Sequence, residues 1–179
     1  MNDTYSITIA GVKRDLKKYP VSDKLDIAAF ILFGDVEITV ASASELLKKV
    51  PDFDVILTPE AKSIPLAYEM ARQCGKPYIV ARKGVKVYMS NPTEVSVKSI
   101  TTSKVQQLFL GSEDVEKLKN KKVLIVDDVI STGESLSAVI ELVNTAGGII
   151  AASCSVLAEG DAADRDDIIY LEKLPLFFK

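Results

Sequence analysis

VLIVDDVISTGES, residues 123 to 135, is an apolar run that meets two adjacent carboxylates, then a small polar loop, then a helical pattern. Each part has a physical reading. The apolar run suits a buried strand, and Leu136, Val139, Ile140 and Val143 recur at helical spacing until Gly147 and Gly148 stop them. The loop between is built for an anion. Its small residues let backbone N–H groups converge, Gly133 permits positive φ, and hydroxyls add donors at a positive helix start. Asp127 and Asp128 would repel a phosphate but suit a sugar diol, directly or through Mg²⁺. A phosphate cradle beside a diol binder describes a ribose 5-phosphate site.

The flanking sequence repeats the strand–helix alternation. Residues 53–58 read as a buried strand ended by Pro59. Ser63 is placed to cap the next helix, whose apolar face is Leu66, Ala67, Met70 and Ala71, with Gly75 as its stop. Residues 78–81, 122–126 and 149–157 are further apolar strands. Continuous apolar strands separated by amphipathic helices predict an α/β fold, an open and mostly parallel twisted sheet flanked by helices. Such sheets bind ligands at the carboxyl ends of their strands, so the loops after Leu57, Ala81 and Val126 come first. Residues 84–103 are polar and lack a helical period, which predicts a mobile loop or hairpin over the site. Residues 1–35, with period-2 positions Tyr5, Ile7 and Ile9, predict a small cap. The expected organisation is one domain over 1–179, with the core spanning 36–179.

Composition narrows the chemistry. The 179 residues include no histidine, which excludes Ser-His-Asp and Cys-His catalysis and His-ligated zinc. A net charge of −3 argues against a broad nucleic-acid surface. Two cysteines, Cys74 and Cys154, suit reduced, buried thiols. No apolar run reaches the roughly 20 residues of a membrane span, and no signal peptide is evident, so a cytoplasmic protein is expected.

The 123–135 segment resembles the phosphoribosyl pyrophosphate (PRPP) motif of the type I phosphoribosyltransferases. LIVDD also resembles the first strand of a response-regulator receiver, but only 51 residues follow Asp128 and the STGES loop would go unexplained. Two further segments are similar to the purine branch of the transferase family. Glu60-Ala61-Lys62-Ser63 resembles its E-[AS]-[RK]-G turn, with Ser63 where glycine is usual. Arg82-Lys83-Gly84-Val85-Lys86 resembles its R-K-x-x-K segment. Ala29 to Asp35 is similar to the adenine enzymes' G-[IV]-[LV]-F-x-D stretch, although Phe30 and Phe33 read equally well as core aromatics.

The resemblance implies transfer of phosphoribose from PRPP, bound with Mg²⁺, to a purine base by a homodimer. Asp127, Asp128, Arg82 and Lys86 would be catalytic, with the two acids also meeting the metal through PRPP. Glu60, Ala61, Lys62, Ser63, Lys83, Val129, Ile130, Ser131, Thr132, Gly133, Glu134 and Ser135 would bind PRPP. Phe33 would stack on the base, and backbone near Leu32 would meet its edge. Adenine is favoured, yet Ser99 to Lys104 carries Thr101 and Thr102 where adenine enzymes have a glutamate, and is as similar to a xanthine-enzyme pattern. Three other readings stay open: a 6-oxopurine transferase, a non-catalytic PRPP-binding regulator and, least favoured, a pyrimidine transferase. The segment Leu174 to Lys179 either closes on the base or covers a sheet edge.

Overall fold

The computed structural model describes residues 3–98 and 105–179. Its centre is a five-stranded parallel sheet in the order β10-β9-β8-β4-β5, formed by β4 (Val55–Pro59), β5 (Tyr78–Ala81), β8 (Lys122–Ile130), β9 (Ile149–Glu159) and β10 (Ile169–Leu174). Alternation along the strands gives the sheet two apolar faces. Ile56, Leu124 and Val126 pack toward α1 (Val36–Lys49) and α2 (Ile64–Cys74), with Ile38, Leu46, Leu66 and Met70. Val55, Leu57, Val123 and Ile125 share the other face with Leu136, Val139, Leu142 and Val143 of α4 (Glu134–Thr145). This is the α/β arrangement that the strand and helix patterns imply.

Several boundaries differ from the sequence reading. β8 continues past Val126 to Ile130, so Asp127 and Asp128 belong to the end of a strand and not to a loop. α1 has no counterpart in the sequence reading, because Val36, Ile38, Thr39 and Val40 are β-branched and mask its helical period. The short α3 (Ser112–Leu118) and β10 were likewise not anticipated. The segment after Ala81 becomes an antiparallel ribbon of β6 (Thr93–Lys98) and β7 (Val105–Leu110). Paired backbone hydrogen bonds of 2.9 and 2.8 Å between Arg82 and Phe109 tie that ribbon to the end of β5.

The cap is a four-stranded antiparallel sheet in the order β1-β2-β3-β11, with β1 (Thr4–Ile9), β2 (Val12–Ser22), β3 (Leu25–Ala28) and β11 (Phe177–Phe178). Ala10 and Gly11 make the first hairpin with φ of 51° and 79°, a two-residue turn whose twist matches its strands. The cap therefore takes in the C-terminal residues as well as the first 28. Phe177 packs edge-on against Tyr5 at 5.3 Å, while buried Leu174 reaches the seam between cap and core.

Candidate active site

The ends of β4, β5 and β8 and the start of α4 surround a cleft on the carboxyl side of the sheet. The polypeptide turns there without a conventional cap. Gly133 precedes α4 at φ 82°, in the left-handed region that costs other residues energy. A Cβ on Gly133 would also stand 2.5 Å from Nη1 of Arg165. Arg165 is held there by Asp167, with Nε–Oδ1 and Nη2–Oδ2 distances of 2.8 and 2.6 Å. Glycine is thus required for conformation, and any side chain there would also have to displace the end of Arg165. The turn encloses a cavity of about 90 Å³ lined by Asp127, Val129, Ile130, Ser131, Thr132, Gly133, Ser135 and Leu136.

A second cavity of about 290 Å³ opens beside it, lined by Pro59 to Ser63, Lys83, Leu108, Asp127, Asp128, Val129 and Ser135. Here the Glu60–Ala61 peptide is cis. Ser63 takes ordinary right-handed helical angles, φ −84° and ψ −7°, so serine fits without strain where the family pattern has glycine. Its hydroxyl lies 2.7 Å from Thr58 Oγ1 and 3.1 Å from the Pro59 carbonyl, and Thr58 Oγ1 reaches the Val126 carbonyl at 2.8 Å. These bonds join the ends of β4 and β8.

The charges in this cleft are set against one another. Burial, and then the neighbouring Asp128 carboxylate, push the Asp127 carboxyl well above the usual carboxylate range. Lys62 Nζ lies 3.2 Å from Asp128 Oδ2, yet that buried oxygen has no aligned hydrogen-bond donor. An acceptor left in that state is costly unless a ligand completes it. Glu60 accepts a hydrogen bond from the Lys83 amide at 3.0 Å and faces Arg82 Nη2 at 3.4 Å. The Lys83 bond and the charges of Arg82, Lys86 and Lys83 hold its carboxyl below the ordinary value. The basic segment after β5 therefore converges on Glu60 at the mouth of the cleft. Arg82 Nε is buried and likewise without a hydrogen-bond partner.

A third cavity, about 320 Å³, lies between cap and core. Its lining runs from Ile27 to Ile31 and adds Lys62, Val129, Ser131, Glu159 and Leu174. Val129 belongs to all three cavities, Lys62 to the second and third, and Ser131 to the first and third. Sequence reasoning did not find Glu159 or Arg165, because each comes from a distant part of the chain; it did single out the segment that Leu174 begins, and Leu174 lines this cavity. It placed the aromatic of this region at Phe33, which is 54% exposed, whereas Phe30 is the aromatic that lines the cavity. Leu32 is buried, and its carbonyl accepts from the Asp35 amide at the turn into α1. Glu134 opens α4 beside the cradle. Thr101 and Thr102 lie outside the described residues. Among the described residues, no helix is long and apolar enough to cross a membrane.

Comparison with known proteins agrees with this geometry. Residues 38–174 match the phosphoribosyl transferase domain family. The chain is 32% identical over 143 residues to a hypoxanthine/guanine phosphoribosyltransferase of Methanocella paludicola, covering 80% of this chain and 69% of that one. It is 31% identical over 158 residues to an adenine phosphoribosyltransferase of Mycoplasmopsis agalactiae, covering 87% and 88%. The crystal structure of adenine phosphoribosyltransferase from Thermoanaerobacter pseudethanolicus has the same fold, with a TM-score of 0.73 at 23% identity over 88% of this chain and 95% of that one. The chain belongs to the phosphoribosyl transferase domain family and is a type I phosphoribosyltransferase.

Proposed function

We propose that this protein transfers the 5-phosphoribosyl group of PRPP to a purine base, adenine in preference, giving the nucleoside monophosphate and diphosphate. The observation that carries this reading is the meeting of three cavities at Val129. The small one suits the 5-phosphate, the one between Glu60 to Ser63 and the two acids suits the diphosphate, and the seam under the cap suits the base.

In the reaction, the bond from ribose C1 to the diphosphate oxygen breaks, and its electron pair leaves with diphosphate. A ring nitrogen of the purine bonds to C1, and the proton that this nitrogen carried passes to solvent or to diphosphate. The ribosyl centre gains cationic character on the way, as in glycoside cleavage. The protein's part is positional and electrostatic, so the absence of histidine is no obstacle. Arg82, Lys83 and Lys86 offset the leaving charge, and the amides of Ala61, Lys62 and Ser63 orient it. Asp127 and Asp128 hold the ribose hydroxyls. Ser131 to Ser135 grip the 5-phosphate at the start of α4.

The residues also fit Mg²⁺. This ion is commonly held by one or two carboxylates together with substrate phosphates, and Asp128 Oδ2 is a buried acceptor without a hydrogen-bond donor. When bound with PRPP, Mg²⁺ neutralises phosphate charge. A cytoplasmic homodimer completes the reading, on the family resemblance alone.

A second reading, transfer to a 6-oxopurine, is favoured by the relatives named hypoxanthine/guanine phosphoribosyltransferase. The test is diphosphate release from PRPP and Mg²⁺ with adenine, hypoxanthine, guanine or xanthine, the product identified by mass. Release with adenine, and AMP as product, is expected. PRPP binding without release for any of the four would replace the transferase by a PRPP-binding regulator.

A further inference from the structure

The small cavity to which the proposed function assigns the 5-phosphate has an unbalanced charge. Asp127 is the one ionisable side chain in its lining, which holds no lysine or arginine, and Glu134 opens the helix beside it. A phosphate monoester brings about −1.5 to −2 charges at pH 7, against roughly +0.5 from a helix start. Lys62, which shares the third cavity with Ser131, is engaged by Asp128 at 3.2 Å. The balancing cation must come from elsewhere.

Arg165 stands at the right place. It lies in the connection from β9 to β10, between Ala162 and Ile168, which are buried in the same apolar cluster as Ile130 and Leu136. The Tyr170 hydroxyl donates to the Ala163 carbonyl at 2.8 Å, and the Arg165 amide to that of Ala162 at 3.3 Å. The guanidinium is held as well. Asp167 takes its Nε and Nη2 edge at 2.8 and 2.6 Å, while Nη1 is the nitrogen that faces Gly133. A Cβ there would stand 2.5 Å from Nη1 but 3.7 Å from Cζ. Arg165 holds the Asp167 carboxyl below its ordinary value, so the pair persists at neutral pH.

We propose that Arg165 is the cationic partner of the 5-phosphate, presented over Gly133 by Asp167, and that it sets the affinity for phosphorylated ribose. This rests on the transferase reading above. A guanidinium holds phosphate through charge-assisted hydrogen bonds. With two nitrogens fixed by Asp167, ordering the third on binding costs little. The 5-phosphate takes no part in the bond exchange at C1, so its partner acts on binding and not on the chemical step.

The test is calorimetric titration of ribose 5-phosphate, and of diphosphate with Mg²⁺, into the full-length wild type, Arg165→Ala and Arg165→Lys, with initial rates alongside. Arg165→Ala is expected to lose about 30-fold in ribose 5-phosphate affinity and to raise KM for PRPP by a similar factor, with kcat and diphosphate binding within a few-fold of wild type. The loss should shrink as salt is raised, and Arg165→Lys should regain much of it. Unchanged ribose 5-phosphate affinity in Arg165→Ala overturns the assignment. So does an equal loss of ribose 5-phosphate and diphosphate that lysine does not restore, which would make the residue structural. Failure of the wild type to bind ribose 5-phosphate at all would instead strike the transferase reading beneath it.

Discussion

Two helices of the core, α1 and α4, begin in opposite ways. α1 starts on Asp35, whose carboxylate accepts from the Ile38 amide at 3.3 Å and from Arg14 at 2.7 and 2.8 Å. That is a complete cap, and it also fastens cap strand β2 to the core. α4 starts on Gly133, which has no side chain to cap with, and a cavity of about 90 Å³ lies at its turn. One helix start serves the fold, and the other is the start to which the proposed function assigns the 5-phosphate. Their charges differ accordingly, since Arg14 holds the Asp35 carboxyl below its usual range while burial beside Asp128 drives Asp127 the other way.

Substitutions at the two starts should therefore have opposite signatures. Gly133→Val is expected to have the largest effect, a loss of transfer of about 1000-fold or more, since it forces a branched side chain to φ 82° and into Arg165. Wild-type steady-state rates in that variant would erase the contrast. Asp128→Asn should lower kcat/KM by about 100-fold or more, because in the proposed reading the lost carboxylate holds ligand.

Asp127→Asn sharpens the comparison through pH. An acid with a raised folded value costs the fold nothing when protonated in both states, below its ordinary 3.8. The cost then grows as pH rises toward the elevated folded value. Thermal unfolding of the ligand-free protein should show Asp127→Asn no more stable than wild type at low pH, but more stable by about 4 °C or more at pH 8. Equal melting temperatures at pH 8 would mean that the acid pair is not strained. Asp35→Ala should have the smallest effect, about 1 kcal/mol of stability with KM for PRPP unchanged, read by denaturant unfolding and initial rates.

How much of this was legible depended on how the residues are distributed along the chain. The cradle and the acid pair occupy nine successive residues, Asp127 to Ser135, so a strand end, a glycine and a helix period sufficed to read them. The basic segment could be read because it follows a buried strand directly. The cavity under the cap was legible only in part, since Ile27 to Ile31, Glu159 and Leu174 meet only when the cap closes on the core. Parity explains Phe33. Phe30 and Leu32 are 4% and 1% exposed while Ile31 and Phe33 are 55% and 54% exposed, so an extended segment turned alternate side chains outward. Nothing in the local pattern said which parity faced the seam. Arg165 was hidden for a related reason, because its role follows from a glycine 32 positions earlier in the chain.

The most direct measurement is titration of PRPP, ribose 5-phosphate and diphosphate against the wild type and Gly133→Val, at fixed Mg²⁺ and salt. The account predicts that the variant loses about 100-fold or more in affinity for PRPP and ribose 5-phosphate and keeps diphosphate within a few-fold. Near-native ribose 5-phosphate binding by a folded Gly133→Val protein would contradict it, because the phosphate would then sit somewhere other than the start of α4.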